Sequence, residues 1–461
     1  MSRLWERGEP VDAVAEHVAR FTAGRDPEVD LALVPYDALA SFAHATMLAE
    51  IGILAADDLP ALRSELAAIA SEAREGRFTI ERANEDSHTA IENRLVARLG
   101  DVGRRIHTGR SRNDQVIAAL RLFAREALVE LLGETLTTAD LLTGLAERHR
   151  EVSVAGYSHA RQAVPSTVGF LFAAYAEGLV DAVLWLRTAF AHADRSPLGS
   201  AAGYGVPLPL DRRRVAELLG FARPQGNALA VQNDRGKTEW LVLGAALAPV
   251  LDVARLAADL IWFSSDELGF VRLAPAVTTG SSIMPQKRNP DVLELVRAGA
   301  ARLRSRHGEI AAVCGPLPSG YHRDLQLTKE PFLDGMRAAC DLVAAVQPVL
   351  ATLTVDAERC REAMGRAIGA TDEVYRRVAQ GEPFRAAYRA VAADPEGAVA
   401  GGGSEGADPA DGWRLRTHLG APGALELAPL REALAAARAW RDESAARLAA
   451  VWRLLEEPPP R

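Results

Sequence analysis

The chain has 461 residues, 48% hydrophobic and 25% charged, with a net charge of −8 at pH 7 and a pI near 5.8. That length buries a large core and predicts more than one structural unit, while the acidic balance, with no basic patch interleaved with aromatics, excludes a nucleic-acid footprint. The start Met1-Ser2-Arg3-Leu4-Trp5-Glu6-Arg7 lacks an apolar signal region, and no unbroken apolar run of about eighteen residues occurs, so the expectation is a cytoplasmic protein without a membrane span.

From Val11 to Gly76 the pattern is helical, with Pro35-Tyr36-Asp37 breaking the chain before a helix expected over Ala38 to Ile51. Residues 81–93 then concentrate polar groups. Asp86 or Ser87 suits a helix cap, and His88 is more than capping requires. A second polar stretch, His107-Thr-Gly-Arg-Ser-Arg-Asn-Asp-Gln115, precedes an apolar-periodic run from Val116 to Arg150. Two arginines beside Ser111 and Asn113 at a helix start make a clamp for a dicarboxylate, and a solvated charged turn is the other reading.

A third stretch, Gly156-Tyr-Ser-His-Ala-Arg-Gln-Ala-Val-Pro165, leads into an apolar helix expected over Thr167 to Phe190. The loop Pro197 to Gly205 is rich in small residues that suit tight helix crossings or close approach to a ligand, and 237–270 reads as another long apolar helix. Helices this apolar around much of their circumference are expected to be buried on several sides, in a bundle shared between subunits.

The loop Thr279-Gly-Ser-Ser-Ile-Met-Pro-Gln-Lys-Arg-Asn-Pro-Asp291 runs into a helix that Asn289 would cap, with Pro290 at its first position and Glu294 one turn in. Only three of the 53 basic residues are lysine, at 237, 287 and 329, so each is a candidate for chemistry that a compact point charge does and a planar fork does not. In Pro318 to Glu330, Tyr321, Gln326 and Lys329 share a flank if the segment is helical. From Val355 a smaller helical unit begins, residues 394–412 read as a flexible loop, and an Ala/Leu/Arg helix closes the chain. The division expected is 1–109, 110–354 with a loop at 278–291, and 355–461.

Cys314, Cys340 and Cys360 are odd in number and widely spaced, which fits reduced thiols. Neither His-x-x-x-His nor paired cysteines occur near the polar segments, and no glycine-rich phosphate loop follows a strand. What remains is acid–base chemistry, without metal or cofactor, on a small molecule held by cations.

Gly280-Ser-Ser-Ile-Met-Pro-Gln-Lys-Arg-Asn-Pro290 resembles the signature loop of the fumarase/aspartase superfamily. His107 to Gln115, Gly156-Tyr-Ser-His159, Pro197-Leu-Gly-Ser200, Tyr321-His-Arg-Asp-Leu-Gln326 and Lys329-Glu-Pro331 resemble, more specifically, the argininosuccinate lyase family, in the right order from about Phe42 to Arg385. The resemblance implies an all-α homotetramer with a central long-helix bundle, active sites built from three subunits, and reversible anti elimination of argininosuccinate to arginine and fumarate. By the same resemblance Ser281 is the general base, Lys287 and Asn289 hold the carboxylate on which charge builds, and His159 is the general acid, oriented by Glu294. Ser111, Arg112, Asn113, Ser158, Tyr321, Gln326, Lys329 and His88 match substrate-binding positions.

Two departures bear on the amine half of the substrate. The family's usual Leu-Trp-Gly-Gly-Arg-Phe is here Leu4-Trp5-Glu6-Arg7, and its Tyr-Thr-His-Leu-Gln is Tyr157-Ser158-His159-Ala160-Arg161, which puts a cation where an amide is usual. The open alternatives are a lyase of the same superfamily for another N-substituted aspartate, or an inactive structural homologue of the lens-crystallin kind.

Overall fold

The computed structural model describes residues 13–402 and 408–457, so the divergent Leu4–Arg7 segment lies outside the described residues. The architecture is all-α, with four two-stranded pairings as its only sheets among those residues. Its centre is a bundle of Arg112–Arg148, Val168–Ala193, Lys237–Phe263, Asp291–Val313 and Lys329–Ala345. Leu120, Leu128, Leu131, Leu142, Phe172, Leu179, Leu243, Val250, Leu256, Val296 and Met336 close one continuous core, at the three- and four-residue steps that put side chains on one helix face.

Consecutive bundle helices run antiparallel. Gly178 faces Asp252, and Tyr175 donates to Asp259 at 2.5 Å. Trp240 stacks on His307 at 5.2 Å, and Arg306 pairs with Asp334 at 3.2 Å. A Cβ at Gly299 or Gly335 would come within 2.4 or 2.8 Å of the Leu342 or Leu243 side chain, so the closeness of these crossings depends on glycine.

Val168–Ala193 and Lys237–Phe263 are long and apolar enough to cross a bilayer by length and composition alone, although neither is an unbroken apolar run. Isolated charges such as Asp181, Arg187, Asp252 and Arg255 interrupt the apolar runs, yet both helices stay strongly apolar on average. In the single chain about half of the most apolar stretch of each helix is buried, 44% and 50%.

A second core gathers Leu39, Phe42, Leu62, Leu66, Ile91 and Leu95 with Val215, Leu219 and Phe221, and with Val451, Leu454 and Leu455 near the end of the chain. The closing helix Ala428–Trp452 lies along the bundle, with Phe190 against Trp440 at 5.2 Å and Arg447 paired with Asp194 at 2.8 Å. Among the described residues after 355, Leu434, Ala437 and Leu448 pack into the bundle core, and Val374, Ala387 and Val391 form a small separate core.

Several boundaries move for identifiable reasons. The first bundle-side helix is Val34–Glu50, because Pro35 sits in its first turn instead of breaking it. The segment 156–165 is a hairpin, Ser153–Ser158 paired with Arg161–Thr167. The segment 394–412 is not a flexible loop throughout: Pro395–Gly402 is a helix and Pro409–Leu415 a 3₁₀ turn, with 403–407 outside the described residues. Asp394 accepts from the Gly397 amide at 3.0 Å at the start of that helix, and Ala398 packs on the small core.

Candidate active site

The residues expected at the site fall into three groups. The first lines a cleft where the starts of Ser87–Leu99, Arg112–Arg148 and Lys329–Ala345 converge: His88, Arg112, Asn113, Tyr321, Gln326 and Lys329, together with Asp30 and Asp86. Ser111 caps the long helix in a reciprocal box, its Oγ accepting from the Asn113 amide at 3.3 Å while Asp114 accepts from the Ser111 amide at 3.0 Å. The other Asp114 oxygen accepts from the Gly199 and Ala201 amides at 3.1 and 2.8 Å, which ties the small-residue loop to this helix start. Burial pushes the Asp114 carboxyl up to about 6 against those hydrogen bonds.

Arg112, Lys329 and His88 each have a carboxylate partner in or beside the cleft, while Arg323, which also lines it, donates to the Thr22 carbonyl. Arg112 reaches Asp86 at 3.0 Å and Glu85 at 3.3 Å, and Asp86 also caps its helix through the Thr89 amide at 2.9 Å. Lys329, 1% exposed, lies between Asp30 at 2.6 Å and Asp26 at 2.9 Å. Burial works to lower the Lys329 ammonium, but the two carboxylates outweigh it and hold its pKa above the ordinary value. His88 sits 2.5 Å from Asp37 in the same balance, burial opposing and Asp37 prevailing, so its imidazolium form is favoured.

The second group is the signature loop. Thr279–Gly280 pairs antiparallel with Arg288–Asn289, so the loop is the tip of a short hairpin. This pairing also moves the helix start: Asn289 is held in the strand, Pro290 takes the cap position, and the helix runs Asp291–Val313. Ser281 Oγ accepts from the Ile283 and Met284 amides at 3.3 and 3.1 Å. Two amides aimed at one hydroxyl oxygen stabilise its ionised form, which is the property a serine base needs. Lys287 is exposed, and Glu294 is exposed on the first turn and a half of the following helix.

The third group is the hairpin with Ser158 and His159. Its two-residue tip is His159-Ala160, with φ of 54° and 57°. Tyr157 packs edge-on against Trp262 at 4.8 Å, and beneath it lies a largely apolar cavity of 390 Å³ lined by Phe170, Phe172, Phe263 and Phe270 among others. Ser158, His159 and Arg161 are exposed.

In one chain these groups stay apart. Arg112 opens a helix of 37 residues and the His159 hairpin follows its far end, a separation of about 55 Å at 1.5 Å per residue. The signature loop opens Asp291–Val313 at the hairpin end of the bundle, since that helix runs antiparallel to Lys237–Phe263, whose Trp262 touches Tyr157. No described hydrogen bond or ion pair joins one group to another.

The carboxylates Asp26, Asp30 and Asp37 do not stand out in the sequence as site residues. The i, i+4 spacing of Asp26 and Asp30 was a usable signal, since it puts both on one helical flank. Among the described residues, no group of three or more His, Cys, Asp or Glu is placed to hold a metal ion.

A long-helix bundle with a serine-bearing loop at one end and a cation-rich cleft at the other defines a class, the all-α lyases, and the family model described as Lyase matches residues 18–304. The chain is 44% identical to the argininosuccinate lyase of Sorangium cellulosum over 94% of its own length and 98% of that protein's. It is 42% identical to the argininosuccinate lyase of Stenotrophomonas maltophilia strain K279a, over 93% and 97%. The chain belongs to the argininosuccinate lyase family. Among solved structures it is similar to EDDS lyase in complex with formate (TM-score 0.80, 25% identity, 95% and 94% of the two chains). The fold also matches a fumarate lyase:delta crystallin from Brucella melitensis bound to cobalt (TM-score 0.69, 20% identity, 89% and 91%).

Proposed function

We propose that the chain is a carbon–nitrogen lyase that cleaves L-argininosuccinate to L-arginine and fumarate by reversible anti elimination, in arginine biosynthesis. The observation that carries this is the near full-length identity to argininosuccinate lyases, 44% over 98% of one of them.

The proton to be removed lies beside a carboxylate and is weakly acidic, so catalysis needs an activated base and fixed stabilisation of the carbanion. Ser281 is the base, its alkoxide held by the Ile283 and Met284 amides. Lys287 and Asn289 stabilise the carboxylate as it gains aci character, and His159, oriented by Glu294 of another subunit, protonates the leaving nitrogen. His88, Ser111, Arg112, Asn113, Ser158, Tyr321, Gln326 and Lys329 hold the substrate. No step calls for a cofactor or metal.

The working unit is a homotetramer whose sites each draw on three subunits. The separation of about 55 Å within one chain supports this. So do the apolar side chains on the outside of the bundle: Leu184 is 66% exposed, Trp185 64% and Leu295 70%, surfaces that a neighbouring bundle covers. We read the two long apolar helices as subunit-facing, not lipid-facing, and the protein as cytoplasmic. Residues 1–109, 110–354 and 355–461 remain useful as functional divisions, the first and second supplying the cleft and the second the loop and hairpin.

A second reading, release of fumarate from a different N-substituted aspartate, draws on Arg161, an exposed cation on the same hairpin as His159. Incubating the purified chain with argininosuccinate tests the first reading: arginine and fumarate should appear in equal amounts, and light scattering should give a tetramer. Absence of fumarate would refute it.

A further inference from the structure

The hairpin that carries His159 is gripped by the segment that follows the bundle. Gln162 Nε2 donates to the Ala363 carbonyl at 2.5 Å, and Gln162 Oε1 accepts from the Gly365 amide at 2.7 Å, so both ends of one side-chain amide are engaged. At the base of the hairpin Ser153 Oγ donates to Asp411 at 2.9 Å and accepts from Trp413 Nε1 at 3.0 Å. Arg361 fixes Asp411 in turn, at 2.8 Å.

The strand register explains why Gln162 does this and Arg161 does not. Tyr157 stands opposite Gln162 and Ser158 opposite Arg161. Directly paired residues share a face and successive residues alternate, so Gln162 lies with Tyr157, on the face toward Ala363 and Gly365, and Arg161 with Ser158, on the other face, although both side chains are solvent-exposed. The tip itself needs holding. His159 and Ala160 both have positive φ, 54° and 57°, a turn that matches strand twist but that non-glycine residues adopt at a cost in free energy. Gln162, two residues past Ala160, is placed to restrain the tip, and the imidazole with it, against other turn geometries.

We infer that Gln162 is a positioning residue: by bridging to Ala363 and Gly365 it makes the C-terminal segment hold the His159 hairpin in the geometry that delivers a proton to the leaving nitrogen. This rests on the role proposed for His159.

Gln162→Leu in the full chain should lower kcat for argininosuccinate by about fivefold or more while changing KM by less than about twofold, with tetramer and melting temperature nearly unchanged. Gly365→Pro deletes the clasp from the other side, since a φ of −66° suits proline and its N–H is lost. It should act in the same direction, and the double variant should be no worse than the worse single one, as expected for two halves of one contact. Hydrogen exchange gives a readout independent of substrate: amides of residues 156–164 should exchange faster in Gln162→Leu. Unchanged kcat, or a loss that tracks an equal loss of tetramer, would overturn the inference. If the unaltered chain fails to turn over argininosuccinate, the functional reading fails, yet the exchange experiment still decides whether the clasp orders the hairpin, and unchanged exchange would refute it.

Discussion

Lys329 Nζ lies 2.6 Å from the Asp30 carboxylate, and both side chains are 1% exposed. With Asp26 at 2.9 Å the ammonium is neutralised inside the protein before any substrate arrives. The cleft therefore presents a fixed array of both signs, suited to a ligand that is itself a zwitterion.

Removing one partner of a buried charge cluster leaves the others uncompensated, typically at about 3–5 kcal/mol. Lys329→Met, which strands Asp26 and Asp30, should lower the unfolding free energy in urea by about 3 kcal/mol or more. Lys329→Met combined with Asp30→Asn should recover part of that. A single variant as stable as the unaltered chain would show that the triad is not the anchor of the cleft.

Ser281→Ala should reduce kcat by at least about a thousandfold, in the range a general base contributes. Its melting temperature should move by no more than about 2 °C, because the loop carries little core packing. Substantial residual turnover would place the base elsewhere.

How far the site could be read in advance differs by group. The bundle helices were legible because residues such as Leu128, Leu131, Leu142 and Leu145 recur at helical steps over long stretches. The His159 hairpin was not, because its strands are short and one edge lies on the C-terminal segment, so exposure follows no period of two and runs three buried, two partial, one exposed along Ser153–Ser158. Pro395–Gly402 was misread from its glycine content, since the contacts that favour a helix there come from Asp394 and a distant small core. Motif residues stood out as isolated polar clusters, whereas Asp26 and Asp30 lay in an ordinary helical stretch, and only the fold brings them to Lys329, which is 299 residues from Asp30 along the chain.

Complementation tests the shared site. His159→Asn and Asn113→Ala chains, each inactive alone, should regain activity when unfolded together and reassembled, up to about a quarter of the sites at equal mixing if the two residues come from different chains. No recovery, with tetramers re-formed, would mean that each chain builds its own site.

His44 gives a pH signature of the fold. Burial, helped by Arg110, holds its pKa down at about 3, and its Nε2 lies 2.9 Å from the Thr108 carbonyl. The unfolded chain takes up this proton below about pH 6.5 and the folded chain does not, so this stability is present above 6.5 and lost as pH falls toward 3. One such histidine accounts for about 2 kcal/mol between pH 7 and pH 5. His44→Gln should flatten the acid limb of stability by that amount in urea unfolding at the two pH values, and an unaltered limb would contradict the burial argument.

The central claim is tested most directly by initial rates of fumarate formation, followed by its ultraviolet absorbance, for argininosuccinate alongside N-succinyl amines that lack the guanidinium. The account predicts that argininosuccinate has the highest kcat/KM, by at least about a hundredfold, and that Arg161→Gln changes its value by less than about tenfold, or ~1.4 kcal/mol. A higher kcat/KM for a substrate without the guanidinium, or a gain well beyond tenfold in Arg161→Gln, would contradict it.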